Sequence, residues 1–330
     1  MLLDFENYPL DYNHVYGGHA AQKLGILING VPYMLKYPNN LKEKNIKNCS
    51  LSYSNSPYSE YIGSHIYEIL GIPVHKTYLG TRRNHIVVAC KNFCEPDEKL
   101  MMFSEIKTTF EPSARFDDSP SVTEGSNADL EEILQILDEH PFFEFVRELV
   151  KLRFWNMFII DAYIGNPDRN NENWGLVSGI DGKKRLAPVY DNGNCLSDKW
   201  DSEKVQAFLD GTDEEKEILA FSVPSIFTRA GKKIHPLSFI LRRENRDCDD
   251  AILRIVSRMI RAQKEIRTLV DSAPGLETDS KRFYLDMLGT RYEKALLPAF
   301  KEIYRERYGR EFDFEAFSKP LQKTKERGGR

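Results

Sequence analysis

The chain has 330 residues, 41% hydrophobic and 12% aromatic, enough to bury one large core or two lobes. Charged residues make up 29% and the net charge is −4, so nothing pushes the molecule toward nucleic acid or an anionic membrane. No apolar run approaches the roughly 20 residues of a membrane span, and MLLDFENYPLDYNH carries an early Asp and Glu where a signal peptide would have its apolar core. The expectation is a soluble protein. Its five cysteines (Cys49, Cys90, Cys94, Cys195 and Cys248) are irregularly spaced and read as reduced thiols, because Cys90 and Cys94 have no second pair to close a zinc site.

In chain order, VYGGHAAQKLG reads as a small-residue turn whose backbone N–H groups face phosphates, with Gly17, Gly18, His19 and Gln22 as candidate contacts. GILINGVPYMLKYP alternates around Asn29-Gly30, so Leu24–Ile28 and Val31–Tyr37 are expected to pair as a hairpin. SPYSEYIGSHIYEILGIP predicts a helix with Ser56 as cap, Pro57 as first helical residue and Gly71 as its end. Two further strands follow in VHKTYLGTRRNHIVVAC, with Ile86–Ala89 apolar enough to be central. Residues 111–132 are polar and turn-rich and run into a helix at Asp129. Phe142–Ile164 is apolar almost all round and predicts a buried central helix. Short strands are expected at Trp174–Val177 and Arg185–Val189, long helices over 249–272 and 279–309, and a mobile basic tail at 319–330.

Between the central helix and the small hairpin lies NPDRNNENWGL, a run of polar side chains at the edge of an apolar segment. Asp168 and Asn173 are five residues apart, and Asp191 follows in APVYDNG. That trio suits phosphoryl transfer from a nucleotide: one carboxylate orients a hydroxyl and accepts its proton, while a carboxamide oxygen and a second carboxylate hold Mg²⁺. Asp168 is then the base, and Asn173 and Asp191 are the metal ligands. Lys36, at the end of an apolar strand, can reach phosphates and needs a carboxylate partner. Glu60, near the start of the following helix, is the candidate. Turn chemistry alone would also explain Asp168, a strand-edge lysine could snorkel to solvent, and an acid in a first helical turn is favourable anyway. The seven histidines are scattered, and only His19 falls in a proposed site.

The order of these pieces is a protein-kinase arrangement, and the chain resembles the HipA-like serine/threonine kinases. GGHAAQK, SEYIGSHIYEILGIPV, NPDRNNENWGL and LAPVYDNG carry the resemblance, which runs from about Gly17 to the C-terminal helices. It implies an α+β, two-lobed kinase fold: an N-lobe over 1–91, a helical C-lobe over 92–318 and the tail. It also implies ATP with Mg²⁺, transfer to protein hydroxyls and autophosphorylation. The hinge would follow Ile86–Ala89, with the backbone of Val88, Ala89, Cys90 and Lys91 meeting adenine. Two departures stand out: Asn170 replaces the family's His two residues after the base, and Gly17 stands where the family autophosphorylates a serine, so that modification is expected elsewhere. The chain begins 16 residues before the small-residue loop, which argues against a HipB-like antitoxin partner. In its closest form the resemblance implies a bacterial protein exported to act on host-cell proteins. A small-molecule kinase, an adenylyl transferase and a non-catalytic nucleotide-binding module remain as alternatives.

Overall fold

The structure is a computed structural model that describes residues 2–14, 16, 22–42, 51–110 and 127–318. Gly17, Gly18 and His19, most of the polar stretch after Phe110 and the basic tail lie outside the described residues.

A two-residue strand, β1 (Leu3–Asp4), precedes the hairpin of β2 (Lys23–Ile28) and β3 (Val31–Lys36). Asn29 and Gly30 take φ of 52° and 77°, the left-handed pair that a two-residue hairpin turn requires. Helix α1 (Ser56–Ile69) follows, then β4 (Thr77–Arg82) and β5 (His85–Lys91). The five strands form one sheet in the order β1-β4-β5-β3-β2, antiparallel except for β1 with β4. β5 is therefore central, and its alternation splits the core. Val87 and Ala89 join Phe5, Ile26 and Leu35 on the outer face. Val88 and Cys90 face inward and join the large core with α1 and the helical part.

The helix over α1 begins one residue earlier than expected. Asn55 is the cap, without a side-chain hydrogen bond, and Pro57 sits just inside the first turn, where its missing N–H costs nothing. Glu60 consequently lies beyond the first turn and is fully buried, so a favourable helix dipole does not account for it.

The rest of the chain is mostly helical. β6 (Glu98–Met102), unforeseen in the sequence, leads into α2 (Phe103–Lys107), and α3 (Leu130–Glu139) is capped by Asp129. The predicted central helix is shorter than its apolar run. His140 Nδ1 caps a separate 3₁₀ turn at Pro141–Phe143 by accepting from Phe142 N at 3.0 Å, and Val146 leaves helical geometry before α4 (Arg147–Ile164) begins. The short strands β7 (Gly175–Gly179) and β8 (Lys184–Leu186) pair with β6 as a three-stranded sheet. Then come α5 (Ser202–Asp210), α6 (Asp213–Phe221), the ribbon β9 (Thr228–Arg229) with β10 (Lys232–Lys233), α7 (Pro236–Arg242) and the long α8 (Arg246–Asp271) that packs on α4. The last helical run is α9 (Thr278–Arg291), a π-helical turn at Tyr292–Leu296 and α10 (Leu297–Tyr308), followed by α11 (Phe314–Ser318). No helix of the described residues is long and apolar enough to cross a membrane.

One feature of the packing sets up the site. Residues 73–75, just before β4, pair with Val189: His75 N donates to Val189 O at 3.0 Å and Val189 N to Pro73 O at 2.9 Å. This ties the segment carrying Asp191 to the edge of α1 and the five-stranded sheet.

Candidate active site

Lys36 closes β3 with its side chain on the inward face and is 9% exposed. Its ammonium donates to Glu60 Oε2 at 2.7 Å and to Asp191 Oδ1 at 2.9 Å. Burial alone would lower the Lys36 pKa, but Asp191 and Glu60 hold it well above the ordinary lysine value. Glu60 is held in turn. Its Oε1 accepts from Asn192 N at 3.0 Å and lies 2.9 Å from His75 Nε2. Burial works against its charge, yet Lys36 and His75 outweigh it and keep the carboxyl far below the usual range. Cys90 brings a third donor atom within 4.8 Å of the Glu60 and His75 donors. Both Glu60 oxygens are already engaged, however, and burial pushes the Cys90 thiol far up, so the cluster serves to hold the lysine.

The polar run after α4 divides by burial. Gly165 ends the helix at φ 64°, and the next residues fold back on Asp161, a carboxylate inside α4. Asn166 Nδ2 donates to Asp161 Oδ1 at 3.1 Å and Tyr67 OH to the same oxygen at 2.9 Å. Arg169, 2% exposed, is the hub. It grips Asp161 through Nε at 2.8 Å and Nη2 at 3.1 Å. The same guanidinium donates to Asn173 O (3.1 Å), Tyr190 O (2.5 Å) and Asn192 Oδ1 (2.5 Å). One buried guanidinium thus joins α4, the turn carrying Asp168 and Asn173, and the two residues flanking Asp191.

Asp168 is half-buried at the rim, and both of its oxygens are engaged. Asn170 Nδ2 donates to Oδ1 at 3.2 Å and Asn194 Nδ2 to Oδ2 at 2.7 Å. Burial raises its pKa, the nearby Asp191 adds to that, and the two amides oppose it. Asn173 Nδ2 donates to Asp168 O at 2.7 Å, which leaves its amide oxygen as the acceptor offered to a cation. Asp191 takes φ 59°, a left-handed conformation rare for a non-glycine residue and typical of functional turns. The donor set of Asn173 and Asp191, a carboxamide and a carboxylate oxygen, fits a hard cation such as Mg²⁺.

The structure therefore brings together Lys36, Glu60, Asp168, Asn173 and Asp191. It does not offer the backbone of Val88, Ala89 and Cys90 to a ligand. Lys36, Leu35 and Met34 pair with them on one side and Leu79, Tyr78 and Thr77 on the other, while Lys91, at the end of the strand, donates through its N to Lys76 O at 2.8 Å. Residues inside a central strand have no backbone groups left for adenine. Exposed Gln22 extends the hairpin ladder, its carbonyl accepting from Tyr37 N at 3.0 Å. Sequence reasoning missed Asp161, Arg169, His75, Asn192 and Asn194. The one available signal was Asp161, a carboxylate in the apolar C-terminal half of α4, with an arginine eight residues on.

No family model matches the chain. It is 32% identical over 296 residues, covering 89% of this chain and 86% of its partner, to the serine/threonine-protein kinase CtkA of Helicobacter pylori (strain J99 / ATCC 700824). The chain belongs to the CtkA family of serine/threonine-protein kinases. The crystal structure of the Helicobacter pylori proinflammatory kinase CtkA superposes with a TM-score of 0.79 at 29% identity, covering 93% of this chain and all of that one. A complex of Shewanella oneidensis MR-1 HipA with HipB and operator DNA aligns at a TM-score of 0.49 and 10% identity, over 88% of this chain and 70% of that one. Membership of the CtkA family makes the protein a serine/threonine-protein kinase with an α+β kinase-like fold.

Proposed function

We propose that the kinase transfers the γ-phosphoryl group of ATP, with Mg²⁺, to serine or threonine hydroxyls of proteins, itself included. The observation that carries this reading is the meeting of Lys36 with Glu60 and Asp191, at 2.7 and 2.9 Å, across 24 and 155 residues of sequence. Phosphoryl transfer is catalysed mainly by positioning and charge neutralisation. In this reading Asp168 orients the acceptor hydroxyl and takes its proton. Glu60 keeps Lys36 extended toward the α- and β-phosphates. Asn173 and Asp191 are the residues that would hold Mg²⁺, which supplies neutralisation of the phosphate charge. The sheet lobe ends at Lys91, and adenine is met where the strand ends, at Lys91 and the linker after it, instead of by Val88–Cys90. The kinship with a kinase described as proinflammatory extends the proposal to export and to a host-cell protein as substrate.

The test is incubation with γ-labelled ATP and Mg²⁺, alone and with a basic acceptor protein, for wild type, Asp168→Ala and Asp191→Ala. Label in protein should vanish in Asp191→Ala and nearly so in Asp168→Ala. Activity within about tenfold of wild type in either variant overturns the assignment. Consumption of ATP without labelled protein would point to a small-molecule acceptor.

A further inference from the structure

The segment after Asp191 has a shape that metal binding does not require. Leu196 and Ser197 both take φ 54°, two consecutive non-glycine residues in the left-handed region. Such strain persists only where the surroundings over-determine it. Here Leu196 is fully buried with its N–H on Ile164 O at 2.9 Å, and Cys195 Sγ lies 3.3 Å from Ser59 O. The strained turn folds the chain back so that Lys199 Nζ meets Asn194 Oδ1 at 3.4 Å. The same amide donates through Nδ2 to Asp168 Oδ2 at 2.7 Å. Chemistry makes this arrangement directional. A lysine only donates and a carboxylate only accepts, so an amide between them has one orientation that satisfies both ends.

We propose that Asn194 and Lys199 form a positioning pair for the base: Lys199 fixes the orientation of the Asn194 amide, and that amide fixes the rotation of the Asp168 carboxylate. The proposal rests on Asp168 being the base. Neither residue need touch the nucleotide. Asn170 holds Oδ1 from the catalytic turn itself, whereas Asn194 reaches Oδ2 from the segment that carries the metal ligand. The pair therefore couples the aim of the base to the seating of the Asp191 segment.

A purely structural role and a positioning role separate in the split between kcat and KM. An Asp168 carboxylate held in the wrong rotation slows the chemical step and leaves nucleotide binding as it was, whereas a damaged fold lowers the thermal midpoint and weakens ATP binding as well.

The experiment compares Asn194→Ala, Asn194→Ser, Lys199→Met, Lys199→Arg and the Asn194→Ala/Lys199→Met double variant, with Asp168→Asn alongside. Measured are kcat, KM for ATP and the thermal midpoint. The expected result is a fall in kcat of about 10- to 100-fold with KM for ATP within about twofold and the thermal midpoint little changed. Lys199→Arg should keep most of the activity, and Lys199→Met should add little once Asn194 is gone. The proposal is overturned by wild-type kcat in Lys199→Met or in both Asn194 variants, by a KM for ATP that rises in step with the fall in kcat, or by multiplicative losses in the double variant. If Asp168→Asn stays active, the assignment of the base has failed. If Asp168→Asn is dead while the pair variants match wild type, only the pair has failed.

Discussion

Glu60 shows how a single buried carboxylate is made tolerable and useful. It has no exposure, yet every lone pair that matters is used, by Lys36, His75 and Asn192 N. Replacing it by Gln keeps the shape but removes the charge that offsets the Lys36 ammonium. Lys36 then leans on Asp191, the proposed metal ligand. Glu60→Gln should lower kcat/KM by about 100-fold, a few kcal/mol of charge-assisted hydrogen bonding, and should raise the Mg²⁺ concentration needed for half-maximal rate. An unchanged Mg²⁺ requirement would show that the Lys36–Asp191 pair does not compete with the metal. Asp198 is the opposite case. It is 3% exposed, one of its oxygens lacks a partner, and burial lifts its carboxyl to about 6 against the pull of Lys199 and Ser54. A carboxyl raised on folding favours the neutral form, so its contribution is full below the unfolded value near 4 and is lost as pH rises through about 6. Asp198→Asn should therefore stabilise the protein by about 2–3 kcal/mol near pH 7.5 and by only about 0.5 kcal/mol near pH 4, read from urea midpoints. Lys36, Asp168, Asn173 and Asp191 could be singled out in the sequence because each is a chemically demanding residue at an element boundary, and Glu60 because a buried lysine calls for a carboxylate. Arg169 and Asp161 were not, since the bond between them is tertiary and an Arg after an Asp in a polar run reads as solvated.

At the scale of elements, α1 is more than the carrier of Glu60. Its Gly63 faces the segment after Asp191: a Cβ there would lie 2.9 Å from Cys195 Sγ and 3.1 Å from Asn192 Cβ. The helix can press this closely on the metal segment only because position 63 has no side chain. Gly63→Ala should gain helix propensity and still lose about 1–3 kcal/mol to overpacking. It should also lower activity, because Asn192 and Asn194 move with Cys195. Adding Cys195→Ala should restore more than the sum of the single effects allows, and strict additivity in denaturation and rate would refute the contact. The local signals explain which elements could be read. Asn29-Gly30 announced the hairpin because left-handed φ values have few willing residues. The apolar run from Phe142 hid a break, because Pro141 and the ring packing of Phe142 with Phe143 look the same in a helix and in a 3₁₀ turn. β6 escaped notice because EKLMM lacks β-branched residues and depends on β7 for its pairing.

For the whole molecule, the question is what holds the sheet and the helical part in register before substrate arrives. Among the contacts that do so near the site are the pairing of residues 73–75 with Val189 and the 2.9 Å ion pair of Lys36 with Asp191. The first is backbone and indifferent to ligands. The second uses the two groups that the proposed mechanism assigns to phosphate and to metal, and Asp191 is 38% exposed at its side chain, within reach of solvent ions. In that proposed mechanism nucleotide binding exchanges one internal ion pair for two external ones, Lys36 with phosphate and Asp191 with Mg²⁺. Neither exchange is favourable alone, since each leaves the other charge partly uncompensated. The consequence is interdependence: ATP without Mg²⁺, or Mg²⁺ without ATP, should raise the thermal midpoint little, and the two together should raise it by several degrees. At a concentration about 100-fold above Kd the stabilisation is about 2.7 kcal/mol. In Asp191→Ala the lysine is already released, so ATP alone should stabilise that variant more than it does wild type, and Mg²⁺ should add nothing. A wild-type shift that is the same with and without Mg²⁺ would mean that Asp191 serves only to hold Lys36, and the metal assignment would have to be abandoned.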